Sequence, residues 1–194
     1  MSFVIISAFT IGTPYEFEVR KLHDSIRRFE LPHKIYPMQD HGDWFTNCHH
    51  IIEVIEQGLK EFPNKNIVWL DADAVIVKNP VLFSTFSRDL GAHRRKNKKD
   101  AGYHWNTGTI FYRNNEKVRE RIHLMALNMR AYYCGEAEIY YDVDWMLANA
   151  DKLGLDLGEL PTAYSIIFDT KQPEEINVEP VIIHNQASRR LKNV

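Results

Sequence analysis

Cysteine is scarce in this chain. Its 194 residues include two, Cys48 and Cys134, and no metal-finger spacing links them. That excludes a zinc-finger arrangement and fits a reducing compartment. Long apolar runs are missing as well. Phe3 to Ile6 is far too short for a signal-peptide core or a membrane span, and no basic segment precedes it. The expectation is a soluble, cytoplasmic protein with no membrane partner. Neither sign of charge dominates. With 24 Lys and Arg against 26 Asp and Glu the net charge is −2, so bulk electrostatics imply no polyanionic partner. Any basic preference must come from a local patch. Repeats, low-complexity tracts and interdomain linkers are also absent.

What is present suits one domain over 1–194. An apolar content of 44%, with 12% aromatic, can build a real core. Phe3 to Ala8 reads as a buried first strand. Thr13 and Pro14 then open a helix, as N-cap and first helical residue, with Val19, Leu22, Ile26 and Phe29 at helical spacing. His33 to Tyr36 is a second short strand, and Ile51, Ile55 and Leu59 stripe a second helix. This strand-helix alternation predicts an α/β sheet. Further on, Asp89 to His93 reads as a strand, the polar and basic stretch from Arg94 to Tyr103 as a loop, and Thr107 to Tyr112 as a strand. Val118, Ile122, Met125 and Met129 share one helix face. Asp142 to Ala150 is a short helix with Trp145 and Leu147 inward, and Val181 to Ile183 is a last strand ending at His184.

The most informative stretch runs from Asn66 to Val77. A buried apolar run ends in Asp71-Ala72-Asp73 and a second apolar run follows. An Asp-x-Asp triplet by itself is usually a turn or a solvated loop, but these flanks leave little room for one. Burying carboxylates is costly unless they are paired or bind a metal. On an extended backbone residues two apart point to the same side. Two converging carboxylates at a strand end would seat a hard divalent cation with positions open to phosphate oxygens, which points to chemistry on a diphosphate.

Several motifs in this order resemble the nucleotide-diphospho-sugar transferases, glycosyltransferases of the GT-A fold. They are Ser7-Ala8-Phe9-Thr10 at the end of the first strand, Asp43 to Asn47 before the second helix, and the acidic strand from Val68 to Ala74. Pro80 to Phe83, His93-Arg94-Arg95, Asn106-Thr107-Gly108, Asp142-Val143-Asp144 and Leu160-Pro161 with Tyr164 follow. The element from Ile183 through His184, Gln186, Ala187 and Ser188 to Arg189 and Arg190 closes the set. The resemblance implies a single Rossmann-like GT-A domain. Its mixed, mostly parallel sheet would be flanked by helices, with the acidic motif at a central strand end. Residues 1–80 would form the nucleotide-binding half and 81–194 the acceptor and sugar half. One departure is that Cys48-His49-His50 stands where similar proteins often carry Lys-Pro. His49 or His50, if protonated, would have to replace that cation.

The resemblance also implies roles. Ser7, Ala8, Phe9, Thr10, Asp71, Ala72, Arg94, Asn106, Thr107, Gly108, Gln186 and Arg189 would hold a nucleotide-sugar donor, expected to be a UDP-sugar. Asp71, Asp73 and His184 would hold the metal, with Asp73 the direct ligand and Asp71 on the ribose or reaching the ion through water. Mn²⁺ is expected, with Mg²⁺ the alternative, because Mn²⁺ accepts mixed oxygen and imidazole ligation more readily. Arg suits phosphate through its planar fork. Asp142 and Asp144 are the catalytic candidates, as general base or as stabilisers of a charged sugar. Their ordinary alternative is first-turn helix charge. The sequence leaves retention or inversion open.

The acceptor is not specified. Arg94, Arg95, Lys96, Lys98 and Lys99 place five cations within six positions, and Trp105 beside them could stack on a sugar. A local basic cluster can hold nucleic acid, so a hydroxylated base in DNA, flipped out for transfer, stands beside a glycan, protein or small molecule. Two other classes remain. One is a nucleotidyltransferase, although Ser7 to Thr13 has only Gly12 where a Gly-rich phosphate loop is usual. The other is a nucleotide-sugar binding module without transfer.

Overall fold

The computed structural model describes residues 2–96, 102–170 and 175–187. Lys98, Lys99, Arg189 and Arg190 lie outside them. The strands are β1 (Phe3–Thr10), β2 (His33–Met38), β3 (Asn66–Leu70), β4 (Ala74–Ile76), β5 (Leu90–Lys96), β6 (Tyr103–Tyr112), β7 (Leu157–Glu159), β8 (Ile166–Ile167) and β9 (Ile182–His184). The helices are α1 (Tyr15–Arg28), α2 (Trp44–His49), α3 (Ile51–Glu61), α4 (Glu116–Tyr133) and α5 (Val143–Ala148).

Six strands form one sheet in the order β2-β1-β3-β6-β5-β7, and β4-β9-β8 form a second, smaller one. β1 is parallel to β2 and β3, and β5 to β7, while β6 runs antiparallel to both its neighbours. Strands β1 and β3 are mostly apolar because both faces of the sheet are covered there. Their period of two sorts the side chains. Val4, Ile6, Ile67 and Trp69 pack on the side of α3 and α4, with Ile55, Leu59, Ile122 and Met129. Phe3, Ile5, Val68 and Leu70 pack on the other side, with Leu22 and Ile26 of α1.

Several local expectations shift. Helix α1 begins at Tyr15, with Pro14 in the cap position and Thr13 Oγ1 accepting from the Tyr15 N–H at 3.3 Å. The second helix is two helices, broken at His50. Trp145 faces solvent, and Met146 with Leu147 fills the interior. The stretch expected to be a loop from Arg94 is strand as far as Lys96, paired with β6 down to Lys96↔Tyr103. Its polarity hid the strand because the inward residue, Arg95, is not apolar. It is buried in a two-pronged ion pair with the equally buried Glu175, at 2.7 and 3.0 Å.

Candidate active site

The acidic motif sits where the two sheets meet. Strand β3 ends at Leu70, opposite Thr109. The Asp71 N–H donates to the Gly108 carbonyl at 2.9 Å, and the Ala74 N–H donates back to the Asp71 carbonyl at 2.9 Å. Asp71-Ala72-Asp73 is therefore a tight turn and not the extended segment expected. The two carboxylates meet because the next strand, β4, pairs antiparallel with β9 and sets Ala74 opposite His184. Ligand atoms of Asp71, Asp73 and His184 lie within 4.8 Å of one another.

Each of the three is held. Trp69 Nε1–H donates to Asp71 Oδ1 at 2.9 Å. The Ala187 N–H donates to Asp73 Oδ2 at 2.6 Å, and both Asn185 nitrogens donate to the Asp73 carbonyl. Between them Gln186 takes a left-handed backbone, φ 50°, a conformation uncommon outside glycine. His184 Nε2 is 2.8 Å from Thr109 Oγ1. Its Nδ1 is buried, has no hydrogen-bond partner among the described residues and faces Asp73 Oδ1 at 3.8 Å. An imidazole that donates from Nε2 to Thr109 leaves its Nδ1 lone pair pointing at two carboxylates. That is the donor set of a divalent cation, so these residues fit the metal that the sequence implies.

A cleft of about 330 Å³ opens onto this cradle. The end of β1 lines it with Ala8, Phe9 and Thr10, the start of α1 with Thr13, Pro14 and Tyr15, and α2 with Trp44, Asn47 and Cys48. Asp71, Ala72, Asp73 and Gln186 close its inner end. Among the described residues that line it, four are Asp and none is Lys or Arg. Burial, then the neighbouring Asp73, pushes the Asp71 carboxyl up to about 6, against the pull of His184 and Trp69. Burial pushes the Tyr15 hydroxyl up to about 12, although it accepts a bond from Trp44 Nε1–H at 3.1 Å.

The sequence profile of the nucleotide-diphospho-sugar transferases matches residues 61–193, more than half of the chain. The chain belongs to this family. Among solved structures, a glycosyltransferase involved in glycosylating the major capsid of PBCV-1 superposes with a TM-score of 0.67 at 14% identity, over 100% of both chains. The galactosyltransferase LgtC, with donor and acceptor sugar analogues, gives 0.54 at 10% identity over 94% of this chain and 86% of its own. GlyE of Streptococcus pneumoniae TIGR4 gives 0.61 at 14% identity over 95% of this chain and 54% of its own. At these identities the likeness is one of fold, the GT-A glycosyltransferase fold. By sequence, no curated protein matches. The transferase is thus an enzyme of the glycosyltransferase class with a single α/β domain.

The other expected residues divide into those near the cradle and those away from it. Gly108 packs under it: a Cβ there would lie 2.8 Å from His184 Cε1 and 3.2 Å from Asp71 Oδ2. Asn106 Oδ1 accepts from the Gly108 N–H where the β5–β6 register shifts, with Thr107 half-buried between them, so the segment is an irregular stretch of strand β6. Ser7 is fully buried inside β1 and does not line the cleft. Asp142 caps α5, accepting from the Trp145 N–H at 2.7 Å. Asp144 is exposed on one side and crowded on the other. That crowding, then Asp142, pushes its carboxyl above the usual range, and its charge in turn reaches Asp71. Arg94 is exposed and lies over the Tyr103 ring at 4.5 Å. Trp105 is half-buried against the core, and Lys96 is exposed.

His49 and His50 do not replace the missing cation. Burial holds the His49 imidazole below its ordinary value, and its Nδ1 pairs with the Tyr133 hydroxyl. His50 pairs with Glu53 at 2.9 Å. Tyr15, Trp44, Asn47 and Cys48 were given no site role from sequence. The signal for Tyr15 is topological: the loop after the carboxyl end of a first parallel strand is where such sheets bind ligands.

Proposed function

We propose that this transferase is a divalent-metal-dependent enzyme that moves a sugar from a nucleoside-diphosphate donor, a UDP-sugar, to an acceptor hydroxyl. The observation that carries the reading is the Asp71, Asp73 and His184 cradle at the inner end of a cleft whose described lining has carboxylates and no Lys or Arg. A diphosphate would meet repulsion there from Asp40, Asp43, Asp71 and Asp73. Bound to the cradle, a cation, by preference Mn²⁺, would supply charge neutralisation for the diphosphate leaving group.

The chain's own residues do the rest. Ala8, Phe9, Thr10 and Trp44 form the walls for the nucleoside, with Tyr15 beyond them. Asp73 and His184 would hold the cation directly, and Asp71 would serve the ribose or reach the ion through water. Asn106, Thr107 and Gly108 flank the sugar on the far side of the cradle. Asp144 is the better of the two catalytic candidates, because Asp142 is engaged as a helix cap. Its raised pKa suits a group that takes the acceptor's proton or faces developing positive charge. On this reading 1–80 is the donor half, since every cleft-lining residue but Gln186 falls within it, and the second half shapes the acceptor side. Cys48 and Cys134 are both free thiols, in keeping with a cytoplasmic setting.

The test is calorimetric titration of UDP into the protein in Mn²⁺ and in EDTA. Binding is expected in Mn²⁺ alone and not in Asp73→Asn. Equal affinity in EDTA refutes the metal-dependent donor site.

A further inference from the structure

The face beside the active carboxylates is paved with aromatic rings that the core does not use. Phe45, Tyr132, Tyr133 and Trp145 are exposed by 36–62%. They belong to two neighbouring groups of rings, one holding Phe45, Tyr132 and Tyr133 and the other Trp145, and Asp142, next to Tyr141, is near enough to His49 and Tyr140 of the first group for its charge to act on both. Phe45 meets His49 edge-on at 4.3 Å, His49 meets Tyr140 at 4.0 Å, and Tyr132 touches both Tyr133 and Tyr140. Tyr141 packs on Trp145 at 4.3 Å. The shelf is fixed in place as well, since the Tyr140 hydroxyl donates to the His49 carbonyl and His49 pairs with the Tyr133 hydroxyl. It adjoins the donor cleft, because α2 carries Trp44, Asn47 and Cys48 into the cleft and Phe45 onto the shelf, with His49 buried beneath. At its other end Tyr141 and Trp145 bracket Asp142 and Asp144.

The charge of this face selects among acceptors. The segments 40–50 and 131–150, which build it, contain Asp40, Asp43, Glu136, Glu138, Asp142 and Asp144 and not one Lys or Arg. A nucleic acid or sulfated glycan would be repelled there. Two described basic residues of β5 are held elsewhere. Arg95 is locked to Glu175, and Arg94, the cross-strand partner of Trp105, lies over the Tyr103 ring. Exposed aromatic faces carry negative quadrupoles that attract the weakly positive C–H faces of a sugar ring, and the carboxylates and phenol oxygens accept from its hydroxyls. Large exposed apolar patches of this kind mark ligand surfaces.

We infer that the aromatic shelf of Phe45, Tyr133, Tyr141 and Trp145 is the acceptor subsite and that it takes a neutral saccharide. This rests on the donor reading above for its catalytic meaning, but binding to the shelf can be measured without any donor. The experiment is saturation-transfer NMR of the full chain with lactose, maltotriose, cellotriose and chitotriose. A heparin octasaccharide and a single-stranded DNA 12-mer serve as the polyanionic arms. At least one neutral saccharide is expected to bind and to lose about tenfold in affinity in each of Phe45→Ala and Trp145→Ala. Phe45→Tyr and Trp145→Phe should restore it. UDP binding in Mn²⁺ should be the same in all four variants. Preference for either polyanion, no binding of any neutral saccharide at millimolar concentration, or affinity unchanged in both alanine variants overturns the proposal. If saccharides bind the shelf while UDP fails to bind in Mn²⁺, the donor reading falls and the shelf stands.

Discussion

Thr109 and His184 show how one small residue can set the chemistry of a site. His184 offers Nδ1 to a cation only while Nε2 has a partner, and Thr109 Oγ1 at 2.8 Å is that partner. Groups of this kind, which touch a ligand and not the metal, typically change metal affinity by about 10–100-fold. Thr109→Val keeps the shape and removes the hydroxyl. It should weaken Mn²⁺ binding on that scale, read by Mn²⁺ electron paramagnetic resonance, while circular dichroism stays as in wild type. The two acceptor-side carboxylates separate in the same way. Asn caps a helix about as well as Asp, so Asp142→Asn preserves α5 and should keep turnover within a few-fold. Asp144→Asn should cut kcat by about 10²-fold or more with donor affinity intact. Equal turnover of Asp144→Asn and wild type would remove its catalytic role.

At the scale of elements, much of the second half hangs on Asp89, which stands just ahead of β5. Its carboxylate accepts from Asn115 Nδ2 at 2.7 Å, Lys117 Nζ at 2.9 Å and the Asp156 N–H at 3.1 Å. It thereby ties the start of α4 and the approach to β7 to the sheet. Burial alone would raise its pKa, but these bonds and the Lys117 charge outweigh burial and hold it below the usual carboxylate range. A depressed folded-state pKa contributes stability that is present above the unfolded value, near 3.9 for Asp, and is lost as pH falls through the folded value. Asp89→Asn should therefore cost about 1–3 kcal/mol at pH 7. The difference from wild type should shrink below about pH 4, as measured by urea unfolding across pH. A cost that does not change with pH would mean that charge plays no part. The β5–β6 hairpin carries a related lesson. Removing one member of the Arg95–Glu175 pair leaves a buried charge behind, so loss of Arg95 would register first as lost stability and only then as lost function.

At the scale of the molecule, the cradle joins three distant stretches of chain. Residues 71–73, 108–109 and 184–187 converge where the two sheets meet. A ligand that holds all three should stabilise the whole fold. Saturation at about 100 times Kd contributes about 2.7 kcal/mol, which raises Tm by about 5–10 °C in a domain of this size. Mn²⁺ with UDP should produce that shift in a thermal melt, and EDTA should abolish it. The absence of any shift would mean that the cradle binds neither. Among the described residues no helix is long and apolar enough to cross a membrane.

Strand β1 and the stripes of α1 and α4 were legible in the sequence because burial on two faces leaves a continuous apolar run and burial along one helix face a periodic one, whereas the turn at Asp71–Asp73 was not. Asp71 and Asp73 stood out for a different reason: carboxylates set among apolar residues are costly without a purpose. What the sequence could not determine was set by contacts between segments far apart in the chain. Arg95 is a cation like its neighbours until Glu175, 80 positions away, takes it into the interior. His49 reads as a phosphate partner until it is buried against Tyr133, where burial disfavours its charged form. Asp142 and Asp144 look alike until one is spent as a helix cap. The aromatic shelf is the clearest case, because its rings come from segments about ninety residues apart. Periodicity records which way one segment faces, but which two segments face each other is decided only when the sheet closes.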